Sequence, residues 1–496
     1  MDYLMGIDIG TTAVKVLIID SIGNIMVKSN VEYGLLLPYP GWVEQDAESM
    51  WQSVISAVKS ALDNFIGERS EIRAISLSTQ RDTLVCVDKD NAPVRNTITW
   101  MDSRSGAQCA GLERDIGADR VYGITGVGIS TIWTFAFILW LRENEPENFR
   151  KTVCFGLVHD FILCRLGAKG HYLDTSNACQ TMLFDLGRGV WSPELMEYGG
   201  LTEQKLPVLV PPGTEVGVLS AGLAAELGLP DTTILVSGGG DQQCASLGAG
   251  AVCEGDVEIG IGTAANILAS VRKPVLDRRR RLICHRAAVR ELWVLEGAML
   301  ATGKVVEWVR DTFYNGLSLR DIDRDIVENS APGAGGLVVL PHFEGAGCPY
   351  WNPAAKGLIY GLTLSSDRAG IARALYESIA FEIRKNLELL PELGITPKKI
   401  IISGGASRSA VWMQMTADVT GMTVCIPAET DCAAVGAAVL AGVGCGLFEN
   451  EELAVKKIVS VGREYIPNRE IKSLYDGIYR KNKALYRATD ESRLYQ

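Results

Sequence analysis

Ile7-Asp8-Ile9-Gly10-Thr11-Thr12, near the amino terminus, is echoed in the second half of the chain by Ile259-Gly260-Ile261-Gly262-Thr263-Ala264. In both, an apolar run stops at Gly-Thr and another begins almost at once, residues 4–9 then 14–19 and residues 256–261 then 266–271. Glycine at the bend between β-branched runs reads as strand, turn, strand. After the first pair, Ser21-Ile22-Gly23-Asn24 turns the chain into a third strand, and a helix begins beyond Asp46, a side chain suited to capping free N–H groups. Strands over 72–77 and 84–87 follow. The second unit continues with a strand over 292–295, helical patterns around Val305, from Asp367 and from Ala410, and a strand over 398–403. This alternation predicts an α/β architecture. The repeated opening predicts duplication, one domain over 1–248 and the other over 249–496. A helix over 433–441, rich in Ala and Gly, is expected to pack backbone against backbone on a neighbour.

The chain has 496 residues, 48 basic and 59 acidic, for a net charge of −11. That balance argues against a nucleic-acid binder, which needs basic surface. Twelve cysteines without a CxxC pair make zinc or iron–sulfur ligation an unattractive reading and point to a reducing compartment, the cytoplasm. An acid at Asp2 stands where a secretory signal would need a basic region. The uncharged run 121–141 tempts a membrane assignment, but Gly123, Gly126 and Gly128 interrupt it. It is read as a Gly-rich loop followed by a buried helix over 132–141.

Four motifs carry chemistry. Asp8 with Gly10-Thr11-Thr12 suits a phosphate and a divalent cation, the acid holding Mg2+ and the turn facing the anion. Gly262-Thr263 offers a second such turn, and two of them suit a cleft that clamps the phosphates of ATP. Gly238-Gly239-Gly240-Asp241-Gln242-Gln243 follows an apolar strand; its glycines would admit a ligand, and Asp241 could take the proton of an attacking hydroxyl. Ser78-Thr79-Gln80-Arg81-Asp82-Thr83, with Trp100-Met101-Asp102-Ser103-Arg104, supplies donors, acceptors and an indole for a small polyhydroxylated ligand. Gly404-Gly405-Ala406, between a strand and a helix, leaves room for a flat ring such as adenine.

Together these motifs resemble the FGGY family of carbohydrate kinases, nearly end to end and in the family's order. Further matches are Pro40-Gly41-Trp42-Val43-Glu44-Gln45-Asp46, Glu296-Gly297-Ala298, Gly345-Ala346-Gly347-Cys348-Pro349-Tyr350-Trp351 and Ala434-Val435-Gly436-Ala437-Ala438. The resemblance implies two actin-like (ribonuclease H-like) ATPase domains around a catalytic cleft. It implies Asp8 as the Mg2+ ligand and Asp241 as general base. Gly10, Thr11, Thr12, Gly262, Thr263, Gly303, Glu307, Gly404, Gly405 and Ala406 become nucleotide contacts. Gln80, Arg81, Asp82, Trp100, Asp241 and Gln242 become the sugar pocket.

The substrate implied is a pentulose such as xylulose, or a related polyol, with glycerol as the alternative. Gln80-Arg81-Asp82-Thr83 resembles glycerol kinases, which carry Glu where this chain has Asp82. Gly262-Thr263-Ala264-Ala265-Asn266 lacks the aromatic of their second turn, and Trp100-Met101-Asp102 resembles pentose kinases. A rival of another class is an actin-fold ATPase acting on a protein partner. No nucleic acid or membrane is expected as a partner, and a homodimer is the assembly to test.

Overall fold

Each Gly-Thr bend joins two strands of a hairpin, and each hairpin seeds a sheet. The computed structural model describes residues 2–492 and 494–495. The first sheet contains β1 (Tyr3–Ile9), β2 (Ala13–Asp20), β3 (Ile25–Glu32), β4 (Ile72–Thr79), β5 (Glu215–Val218) and β6 (Ile234–Gly240), in the order β5-β6-β4-β1-β2-β3. The second contains β7 (Asp256–Ile261), β8 (Ala265–Val271), β9 (Ile283–Arg286), β10 (Trp293–Met299), β11 (Lys399–Ser403), β12 (Val424–Pro427) and β13 (Val461–Tyr465), in the order β9-β10-β8-β7-β11-β12-β13.

The duplication is written in this topology. In the first sheet, β1 pairs antiparallel with β2 and β2 with β3, while β4 lies parallel to β1 and β6 parallel to β4. In the second, β7 pairs antiparallel with β8 and β8 with β10, while β11 lies parallel to β7 and β12 parallel to β11. The runs β3-β2-β1-β4-β6 and β10-β8-β7-β11-β12 are therefore the same five-strand motif. The strand beside each run differs in origin: β5 precedes its neighbour β6 in the chain, whereas β13 follows β12.

Helices cover the sheets. Asp46 caps α1 (Ala47–Asn64) by accepting from the N–H groups of Glu48 and Ser49, and the apolar stripe of α1 packs on β1–β3. α2 (Asp241–Gly248) follows β6 directly. α3 (Gly303–Phe313), α4 (Arg368–Glu392) and α5 (Ala410–Thr420) belong to the second half. α6 (Cys432–Gly444) crosses back, packing its small residues against Leu4, Leu17 and Val236 of the first sheet.

The small residues of α6 are required sterically. A Cβ on Gly436 would lie 2.0 Å from the Cys244 carbonyl oxygen of α2, and one on Gly248 would lie 1.9 Å from that of Cys432. The backbone-to-backbone packing expected for 433–441 is present, and it seats a second-half helix on the first half.

One stretch departs from expectation. Residues read as a Gly-rich loop contain a helix, Ala118–Thr125, that runs through Gly123 and ends at Gly126 with φ 76°. Thr125 Oγ1 donates to the Val121 carbonyl (2.8 Å), a local bond that sequence patterning does not reveal. The helix expected after it spans Thr134–Asn144 and is buried through Leu141. Among the described residues, no helix is long and apolar enough to cross a membrane.

Candidate active site

The two Gly-Thr turns are braced in the same way, through their carbonyls. In the first, Gly10 N–H donates to Ala13 O (3.0 Å), Tyr33 OH donates to Gly10 O, and Gln45 Nε2 donates to Thr11 O (2.6 Å). In the second, Gly262 N–H donates to Ala264 O (2.9 Å), while Gly303 N–H reaches Gly262 O (3.0 Å) and Thr302 N–H reaches Thr263 O (3.1 Å). Tying carbonyls back removes the groups that would repel a phosphate. Gly303 thus lies against the second turn at the start of α3, with Glu307 exposed one helical turn further on. Ser403 stands opposite Gly260 in the parallel register of β7 and β11, so Gly404-Gly405-Ala406 emerges beside that same turn.

Asp8 lies near the end of β1 and accepts from Ser78 Oγ (2.8 Å) on β4. Burial, opposed by that hydrogen bond and reinforced by the charge of Asp241, pushes its carboxyl up to about 6. A buried carboxylate that feels the charge of a second one is the negative, oxygen-bearing setting that a hard divalent cation fits.

Asp241 is the first residue of α2, where the helix N-terminus favours a negative charge. Its Oδ1 accepts from Gln242 N–H (2.7 Å) and lies 3.4 Å from Arg81 Nε. Burial raises its carboxyl above the ordinary range while the Arg81 guanidinium works the other way. The side chain keeps 29% exposure, enough to meet a substrate. Beside it, the amide oxygen of Gln242 lies 3.5 Å from where a Cβ on Gly260 would stand, so the start of α2 borders β7.

The glycines before Asp241 serve the protein itself, where the sequence suggested a ligand. A Cβ on Gly238 would lie 1.6 Å from Leu77 O, so β4 and β6 could not approach as they do. Gly240 N–H donates to Ser176 Oγ (3.1 Å), which fixes the peptide leading into Asp241.

The polar residues of the loop 78–83 differ in how far the protein itself engages them. Arg81 is clamped by Glu296 of β10, with Nη1 to Oε2 at 2.8 Å and Nη2 to Oε1 at 3.0 Å. Asp82 has a left-handed backbone (φ 64°) and a buried carboxyl whose Oδ1 lacks a protein partner among the described residues. Burial raises that carboxyl well above its ordinary range, with Arg81 opposing and Asp241 and Glu296 adding to the rise. Gln80, expected in the sugar pocket, has its amide engaged by protein. Its Nε2 donates to Gln45 Oε1 (2.9 Å) and Tyr33 OH (3.3 Å), and its Oε1 accepts from Thr83 Oγ1 (3.0 Å). Trp100, 40% exposed, donates from Nε1 to Thr11 Oγ1 (3.1 Å), which sets its indole against the first turn.

Sequence reasoning gave no role to three residues of this network. Glu296 also accepts from His285 Nε2 (2.6 Å), and His285 Nδ1 meets Gln243 Nε2 (2.9 Å), so a chain of contacts runs Asp241–Arg81–Glu296–His285–Gln243. A charged residue within the apolar run Val294-Leu295-Glu296 was the available signal for Glu296.

Residues 3–248 match the N-terminal domain, and residues 258–445 the C-terminal domain, of the FGGY family of carbohydrate kinases. The chain belongs to that family. The kinase is 30% identical to a glycerol kinase of Bdellovibrio bacteriovorus over 499 residues, covering 98% of this chain and 99% of the relative. It is 29% identical to a xylulose kinase of Bacillus subtilis over 491 residues, covering 99% and 98%. The crystal structure of a xylulose kinase from Rhodospirillum rubrum matches it with a TM-score of 0.91 at 28% identity, over 99% of both chains. The fold is accordingly that of the actin-like sugar kinases, and the kinase is a phosphotransferase that uses ATP on a sugar or polyol. That sets aside the ATPase acting on a protein partner.

Proposed function

We propose that this kinase transfers the γ-phosphoryl group of ATP to a hydroxyl of a pentulose such as xylulose, or of a related five-carbon polyol. Asp241 carries the reading: a carboxylate at a helix start, beside Arg81, acting on the charge of Asp8, on a helix whose start borders β7, the strand leading into the second Gly-Thr turn. The acceptor hydroxyl would be oriented by Arg81 and the free Oδ1 of Asp82. As its oxygen attacks phosphorus and the bond to ADP breaks, its proton passes to Asp241. The raised affinity of Asp241 for a proton suits that task.

Gly10, Thr11, Thr12, Gly262 and Thr263 would hold the phosphates, with Gly303, Glu307, Gly404, Gly405 and Ala406 around the nucleoside. Asp8 would hold Mg2+, which supplies neutralisation of the phosphate charge. We assign the domains to 1–248 and 249–496, and the enzyme to the cytoplasm, in keeping with twelve free cysteines.

Glycerol is the second reading, favoured by Arg81 and by the 30% identity to a glycerol kinase. A coupled-enzyme screen of pentuloses, pentitols, tetritols and glycerol with Mg-ATP separates the two. The highest kcat/KM is expected on a five-carbon acceptor; a maximum on glycerol would replace that reading with the second.

A further inference from the structure

Resting on the reading that Arg81 lines the acceptor pocket, we propose that Glu296 is a specificity-determining residue: it fills the guanidinium fork of Arg81 and so restricts the acceptor to uncharged polyols, refusing sugar acids.

A guanidinium in a sugar pocket would ordinarily invite a carboxylate, because its paired N–H groups match two carboxylate oxygens at once. Here that fork is already occupied at 2.8 and 3.0 Å by a carboxylate of the chain itself. What remains on Arg81 is its Nε edge, 3.4 Å from Asp241, and single outer N–H groups. That edge could itself take a carboxylate, but Asp241 already faces it, so a substrate meets single N–H groups, which serve a hydroxyl better than a carboxylate.

The clamp is built. Glu296 is 5% exposed and Arg81 15%. Gln243 Nε2 donates to His285 Nδ1, which leaves the His285 proton on Nε2 to be given to Glu296 Oε2. Glu296 is thus held from both sides, by Arg81 and by an imidazole with a fixed tautomer. Against the cost of burial, the Arg81 guanidinium and the His285 hydrogen bond hold its carboxyl well below the ordinary range, so it stays an anion.

Charge acts in the same direction. Asp82, Asp241 and Glu296 surround one guanidinium, and Asp241 and Glu296 both make it harder to ionise Asp82. A bound sugar acid would add a further anion to this group. Discrimination therefore comes from repulsion and from an occupied partner together.

Xylitol and xylonate differ only at C1, hydroxymethyl against carboxylate, and serve as probes by their inhibition constants against the enzyme's best acceptor. The wild-type enzyme is expected to bind xylonate at least tenfold more weakly than xylitol; equal binding overturns the proposal without any variant. Glu296→Gln, which frees the fork, is expected to narrow that ratio at least tenfold, mainly by tightening xylonate. A folded Glu296→Gln enzyme with the wild-type ratio overturns it. Arg81→Ala distinguishes this failure from that of the pocket reading. If Arg81→Ala leaves xylitol binding unchanged, Arg81 does not line the pocket and both ideas fall. If it weakens xylitol while Glu296→Gln leaves the ratio alone, only the specificity role of Glu296 is lost.

Discussion

Arg81 sits where three carboxylates compete for one cation, and its removal gives the sharpest residue-scale prediction. Arg81→Ala should raise the acceptor KM about 10–100-fold, the worth of a charge-assisted hydrogen bond to a hydroxyl. The KM for ATP should change by no more than about twofold. Equal rises in both, measured by varying each substrate at saturation of the other, would place Arg81 outside the acceptor pocket. At this scale the sequence was informative where residue type and neighbours coincide. The places of Asp8 near the end of a strand and of Asp241 just beyond one were readable because each acid adjoins apolar and glycine residues in the chain. Glu296 and His285 were not, since their partners Arg81 and Gln243 are far away in sequence and meet only when the sheets assemble. The bonds of the Gln80 amide were out of reach for the same reason: no local pattern links it to Gln45 and Tyr33.

Helix and strand packing set two tests at the scale of elements. In Gly436→Ala the new methyl would stand 2.0 Å from the Cys244 carbonyl oxygen, and α2 and α6 must separate. Overpacking against rigid backbone should cost about 3 kcal/mol or more. Gly222→Ala, in the exposed helix Ala221–Leu227 with open space at its Cβ, should change stability by no more than about 1 kcal/mol. Chemical denaturation of both variants checks this, and similar midpoints would contradict the packing described. Glu258 of β7 provides a pH test. Burial pushes its carboxyl from the ordinary 4.5 up to about 8, opposed by the Ser403 hydrogen bond. Between those values the unfolded chain ionises while the folded one keeps its proton, so wild-type stability falls as pH rises through this window. Glu258→Gln, which cannot ionise, should be more stable than wild type at pH 8 by about 3–5 kcal/mol and nearly equal to it at pH 4.5. A constant difference across that range, followed by thermal denaturation, would argue that Glu258 does not titrate there. The hairpins and the Asp46 cap were legible because they rest on local patterns. The helix Ala118–Thr125 was not, because Gly123 lowers helical propensity and only the surrounding packing overrides it.

For the whole molecule, duplication places two similar hairpins at the heads of two similar sheets, and α6 returns from the second half to pack on the first. A six-residue stretch repeated with four identities announced that arrangement, while the different origins of β5 and β13 followed no sequence repeat. The consequence is that the halves meet at Arg81, held by Asp241 of the first and Glu296 of the second; the proposed site adds Asp8 from the first half and Thr263 and Gly303 from the second. The account stands on Asp241 acting as the base within that shared site. The most direct measurement is the turnover of Asp241→Asn at saturating Mg-ATP and acceptor, with nucleotide affinity measured in parallel. The account predicts that kcat falls by about 10²–10⁴ while nucleotide affinity is unchanged; turnover close to wild type, with nucleotide bound as before, would contradict it.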